Sequence, residues 1–217
     1  MTMNRRTLVT GFPRIGENRE LKKAVETYWN ALARKERRLP SPDLDRAKED
    51  LLATAKTLRE RHWSFQQSVG VDFISCNDFS LYDSMLDTVC MLGLVPERFA
   101  SITDPIERYF AMARGTAEAP AMEMTKWFNT NYHYLVSHLT PQTEFRLSWH
   151  KPLHAYRKHP KGIPYLIGPY TFLRLSRGLT PEELPALMEP LTHVYGELLS
   201  LLKESGAKYV HVDEPAF

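Results

Sequence analysis

Three groups of residues in this 217-residue chain have types and spacings that could do chemistry. In the first, Lys126, Asn129, Asn131 and His133 are interleaved with Trp127, Phe128, Tyr132 and Tyr134. Buried polar groups must find hydrogen-bond partners, so this mixture reads as a ligand site or as a hydrogen-bonded turn under an aromatic lid. In the second, Arg19, Lys22 and Lys23 occupy the first turns of a helix expected to begin at Asn18. Cations are disfavoured there, because a helix N-terminus already carries partial positive charge and free N–H groups. Either an anion binds, or the face is solvated with Glu17 and Glu20 as local partners. In the third, Asp213 and Glu214 end a strand, and Asp78 follows another. Paired carboxylates could act as acid and base, but neighbours on a strand point to opposite faces, which favours structural roles. His150 and His154 have the helical spacing of a metal pair, with Pro152 between them arguing against it. The sequence contains no nucleophile-and-base constellation, Gly-rich phosphate loop or metal-ligand set.

Strands are expected at 7–10, 71–76, 165–167 and 208–212, with a further one at 122–128 or 132–136. The first helix carries Leu21, Ala24, Val25, Tyr28 and Leu32 on one face; a second opens at Ser41-Pro42 and runs to Gly70, with His62 as a core histidine. Shorter helices are expected near 85–92 and 106–113, and prolines at 141, 152 and 160 argue against a long element between 140 and 162. Thr180-Pro181-Glu182-Glu183 reads as a capping box for a last helix, jointed at Pro190 and closed by Gly206. Strands alternating with helices predict an α/β fold with a parallel sheet, either a barrel or a doubly wound open sheet.

Composition narrows the function classes. With 43% hydrophobic residues the chain can bury a sizeable core as one domain. The 28 basic and 26 acidic residues nearly cancel, so neither nucleic acid nor a membrane surface is expected as a partner. Cys76 and Cys90 show no disulfide or zinc spacing, and no apolar leader is evident, so a cytoplasmic protein is expected.

The segments Gly11-Phe12-Pro13-Arg14-Ile15-Gly16, Arg19-Glu20-Leu21-Lys22-Lys23, Asp78-Phe79-Ser80-Leu81-Tyr82-Asp83 and Asp213-Glu214-Pro215, together with 123–134, occur in an order that resembles the amino-terminal part of cobalamin-independent methionine synthases. That family comprises the 5-methyltetrahydropteroyltriglutamate–homocysteine methyltransferases, and the resemblance runs from about Thr7 to Phe217. It implies a TIM-type (β/α)8 barrel of which 1–217 is the amino-terminal portion, with about five strands present. It also implies that Arg19, Glu20, Leu21, Lys22 and Lys126 contact the folate and its polyglutamate tail. The zinc that activates homocysteine as a thiolate belongs to the family's carboxyl-terminal barrel, so no ligand to it carries over, and this portion is expected to be inactive alone. A non-catalytic folate- or polyanion-binding protein is the alternative, and an enzyme using Asp78, Asp213 and Glu214 is a third reading. Five strands would leave open sheet edges, with Tyr209, Val210 and Val212 partly exposed and self-association as the expected consequence.

Overall fold

The computed structural model describes residues 6–40 and 43–217. The first strand, β1 (Leu8–Val9), leads through a loop to α1 (Glu20–Glu36), which buries Leu21, Val25, Tyr28, Ala31 and Leu32 at helical spacing. Arg19, not Asn18, is the N-cap of α1, with left-handed φ 60° and ψ 34° and no side-chain capping bond. The next helix, α2 (Leu44–Ser68), packs against α1 and turns Ala47, Leu51, Ala55, Leu58 and His62 inward. The expected start at Ser41-Pro42 lies outside the described residues; Asp43 is the N-cap, accepting from the N–H groups of Asp45 and Arg46 at 3.0 and 3.2 Å.

Next come β2 (Phe73–Cys76), α3 (Ser84–Met91, capped by Asp83) and α4 (Pro105–Arg114, capped by Asp104). The expected third strand of the parallel sheet is instead one arm of a hairpin. Both candidate segments are used: β3 (Met124–Lys126) pairs antiparallel with β4 (His133–Leu135), Lys126 opposite His133. The six residues between them close the turn locally, and a hairpin needs no crossover helix. The remaining elements are α5 (Lys151–Lys158), β5 (Ile163–Ile167), α6 (Pro169–Leu175), α7 (Leu184–Glu204) and β6 (His211–Asp213).

The capping box before α7 is half formed. Glu183 accepts from the Thr180 N–H at 2.8 Å, but the helix starts at Leu184, beyond Pro181. Pro190 sits within α7 without dividing it. At its end the N–H groups of Gly206 (φ 97°) and Ala207 donate to the carbonyls of Lys203 and Leu202, a Schellman closure that needs the left-handed glycine.

Four strands form one parallel sheet in the order β1-β2-β5-β6, with pairs such as Val9–Ile74, Ser75–Ile163 and Leu166–Val212. Strand order follows chain order without the reversal that defines a doubly wound sheet. Crossovers of one hand then place the helices on one side. The central strand β5 is buried along almost its whole length, whereas Val212 on the outer strand β6 and Tyr209 before it are exposed and Val210 is half-buried.

Candidate functional site

The loop from β1 to α1 is fastened to the loop after β2. The Phe12 N–H donates to Asp78 Oδ2 at 3.1 Å, and the Arg14 guanidinium donates to the carbonyls of Leu81, at 3.2 Å, and Tyr82. A turn with Gly16 at φ 84° follows, where any side chain would run into Glu20 and Leu58. The Arg19 N–H donates to Gly16 O at 3.0 Å and the Leu21 N–H to Ile15 O at 3.1 Å, which orients the first turn of α1.

This folding separates the four residues of the Arg19–Lys22 segment by role. Leu21 is fully buried. Glu20 accepts from the Asn18 N–H at 3.0 Å and from Arg61 of α2 at 3.0 Å, and Glu17 pairs with the same guanidinium. Its own N–H and Arg61 hold the Glu20 carboxyl below the usual range. Both nearby acids therefore turn toward α2 and are not the partners of the α1 cations. The Arg19 guanidinium is exposed and makes no hydrogen bond or ion pair among the described residues; the Lys22 ammonium, also exposed, reaches only Glu26 one turn later, at 3.5 Å.

Lys126 stands apart in sequence, at the end of β3. The turn beyond it is internally bonded: Trp127 N–H to Tyr132 O at 2.8 Å, Thr130 Oγ1 to Trp127 O at 2.6 Å, and His133 Nδ1 near Asn131 O at 3.1 Å. Phe128 takes φ 49°, and its ring and that of Tyr132 are exposed. The segment is thus a well-bonded turn presenting side chains outward, and Lys126 has no acid partner among the described residues. Desolvation and the charges of Asp83 and Asp87 push the Tyr132 hydroxyl up to about 12, with Arg14 opposing them. The Leu135 N–H donates to Asp83 Oδ2 at 3.3 Å, which brings the hairpin to the same end of the sheet as the β1–α1 loop, itself fastened to the segment after β2.

The carboxylates at that end are all engaged. Asp213 accepts from Tyr165 Oη at 2.8 Å, and Glu214 accepts from the N–H groups of Tyr170 (3.1 Å) and Thr171 (2.7 Å) at the start of α6. Gly168 is glycine because a Cβ there would occupy the Glu214 carboxylate. Burial raises the Asp78 pKa, opposed by the Phe12 N–H. Sequence reasoning missed a network around Asp87, which accepts from Ser80 (2.6 Å) and Tyr109 (2.8 Å) and pairs with Lys151 at 3.0 Å; Lys151 also donates to Asn77 Oδ1 at 2.7 Å. It missed Asp83 too, although Asp-Ser ahead of an apolar helix is a cap signal. Asn77 adopts φ 70°, a conformation asparagine tolerates better than most residues. Three of the four non-glycine residues with positive φ among the described residues, Arg19, Asn77 and Phe128, lie in these loops. Among the described residues no group of three or more His, Cys, Asp or Glu side chains could hold a metal ion.

A family model for the cobalamin-independent synthase N-terminal domain matches residues 6–217. The chain belongs to the cobalamin-independent methionine synthase family. Among its relatives is a 5-methyltetrahydropteroyltriglutamate–homocysteine methyltransferase of Desulforamulus reducens, 46% identical over 217 residues, covering 96% of this chain and 26% of that protein. Proteins of the same name from Bacillus cereus (42% identical, 95% of this chain, 26% of the relative) and Thermodesulfovibrio yellowstonii (43%, 99% and 27%) match similarly. The chain spans about a quarter of the length of the methionine synthase relatives it matches, so the comparison covers their N-terminal domain.

Proposed function

We propose that this chain is the folate-polyglutamate-binding part of a cobalamin-independent methionine synthase, which moves a methyl group from 5-methyltetrahydropteroyltriglutamate to homocysteine in the cytoplasm. In this reading the four parallel strands and the hairpin are the amino-terminal portion of a (β/α)8 barrel, and 1–217 is one domain. One observation carries the site: Glu17 and Glu20 are turned to Arg61, which leaves Arg19 without an acid partner among the described residues and Lys22 with only the solvent-exposed Glu26. Arg19, Lys22 and Lys126 supply charge for the γ-linked carboxylates, and Glu20 and Leu21 hold the first turn of α1 in place. Cations spread over two elements can hold several carboxylates without burying any one ion pair.

Zinc and homocysteine are assigned to the rest of the enzyme. The residues here do not fit zinc: Cys76 and Cys90 are fourteen residues apart in sequence, and desolvation pushes the Cys76 thiol up to about 12 and the Cys90 thiol higher still, away from the thiolate that a metal takes. The 217-residue chain alone should therefore bind folate polyglutamate and make no methionine. No helix among the described residues is long and apolar enough to cross a membrane. Self-association through the outer strand β6, with Val212 exposed, is part of the proposal; light scattering across a dilution series tests it, and a monomer throughout refutes it.

The test of the site compares triglutamate and monoglutamate methyltetrahydrofolate. Lys22→Ala with Lys126→Ala should weaken the triglutamate form about tenfold more than the monoglutamate, a difference that shrinks with added salt. Equal losses for both ligands would overturn the assignment.

A further inference from the structure

A cavity of ≈ 240 Å³ lies between α2, the carboxyl end of β2 and α5, and none of Arg19, Lys22 or Lys126 lines it. Its walls are aromatic, with Phe12, Trp63, Phe79 and Trp149 facing the space. The Trp63 ring is already stacked on His159 at 4.4 Å, and the Arg59 guanidinium sits 5.2 Å above the Phe79 ring. An engineered apolar cavity of about 150 Å³ takes benzene, so this one has room for a six-membered ring bearing a small substituent.

The charges around it are unbalanced. Arg59 is half-buried, and desolvation lowers its pKa, yet its guanidinium makes no hydrogen bond or ion pair among the described residues. Its sequence neighbour Glu60 is engaged by Lys56, at 3.9 Å. Lys158, on the last turn of α5, lines the same cavity without an acid partner among the described residues. Both cations act on His159, whose pKa is lowered first by desolvation and then by Arg59. The Asp78 carboxylate, anchored by the Phe12 N–H, also lines the space, beside Asn77 and the Asp87–Lys151 ion pair. Glu60 attracts the Arg59 guanidinium without an ion pair to it, so Arg59 stays partly removed from water with no hydrogen-bonded counter-charge among the described residues, a costly arrangement.

We propose that this cavity binds a small aromatic carboxylate, with the carboxylate at Arg59 and Lys158 and the ring against Phe79 and Trp63. Arg59 is suited to the task because its planar fork can grip a carboxylate while its face stays on Phe79. A hydrogen-bond donor opposite the carboxylate on the ring would meet Asp78. The site does not rest on the folate reading, since it shares no cation with it.

The probe is 4-hydroxybenzoate, titrated calorimetrically into the 217-residue chain. Saturable one-to-one binding is expected, about tenfold weaker in Arg59→Gln and weakened also in Lys158→Gln, as loss of a charge-assisted contact requires. The neutral 4-hydroxybenzyl alcohol should not bind, and Lys22→Ala should leave the affinity unchanged. Absence of saturable heat at millimolar probe, binding of the alcohol as tight as the acid, or an equal loss in Lys22→Ala would each overturn the proposal. If circular dichroism shows Arg59→Gln unfolded, the exposed Lys158→Gln decides: unchanged affinity there refutes the site.

Discussion

The start of α1 and the end of β6 are built from the same kinds of charged residue and treat them in opposite ways. At the end of β6 every carboxylate is answered by the protein, Asp213 by Tyr165 and Glu214 by two N–H groups of α6. At the start of α1 the acids Glu17 and Glu20 are answered by Arg61, which leaves Arg19 unanswered among the described residues and Lys22 with only an exposed pair to Glu26. A charge satisfied internally serves the scaffold, because its free energy is already committed; one left unsatisfied on a rigid element is available to a ligand. The contrast separates Asp78, Asp213 and Glu214 from Arg19, Lys22 and Lys126 without reference to any relative.

The largest effect expected from breaking that contrast lies beneath the cations. Leu21 is fully buried, so Leu21→Ala should cost about 3 kcal/mol in urea unfolding and weaken triglutamate binding as the first turn loosens. Binding that survived intact in the folded variant would mean the cations need no rigid seat.

Asp83 tests the acidic side through pH. It is 1% exposed, accepts from the Leu86 N–H at 2.8 Å and the Leu135 N–H at 3.3 Å, and desolvation nevertheless pushes its carboxyl up to about 7. A carboxyl that holds its proton more tightly folded than unfolded contributes stability below its unfolded pKa. That contribution is lost as pH rises through the folded value. Stability should therefore fall between about pH 4 and pH 7 from this group, and Asp83→Asn should remove that slope and gain about 2 kcal/mol at pH 8. An identical pH profile in wild type and variant would contradict the expected burial cost.

A smaller loss is expected at the end of β6. Glu214→Ala orphans the Tyr170 and Thr171 N–H groups and should cost about 1.5 kcal/mol, with triglutamate affinity unchanged in the folded protein. A specific loss of affinity would move Glu214 from scaffold to ligand site.

The smallest change sharpens the comparison most. Arg19 is held at φ 60°, so Arg19→Gly should stabilise the chain by about 1 kcal/mol while weakening triglutamate binding. Stability and affinity moving together would show that Arg19 has a structural role only.

Much of the architecture was legible locally. The apolar face of α1, the Gly206 closure of α7 and the strand-to-loop sites of Asp78 and Asp213 all follow from periodicity and turn chemistry within a few residues. The hairpin was not legible, because 122–128 and 132–136 each read as a strand and nothing local says that they pair with each other. The N-cap was misplaced for a similar reason. Asn18 is the better cap by type, but the Asn18 N–H is bound by Glu20, and the turn at Gly16 passes the cap to Arg19.

The sequence by itself determined that this is an α/β chain with polar strand ends and a cationic helix start, because those properties depend on neighbours three or four residues apart. Only the tertiary structure decided which charges are spent. Arg61 comes from 41 and 44 residues away to take Glu20 and Glu17, and Glu214 comes from 43 and 44 residues away to cap α6. Pairing at that separation depends on how helices and strands pack. The same carboxylates and cations could be partnered or free in a different fold, and it is their partnering that distinguishes scaffold from site.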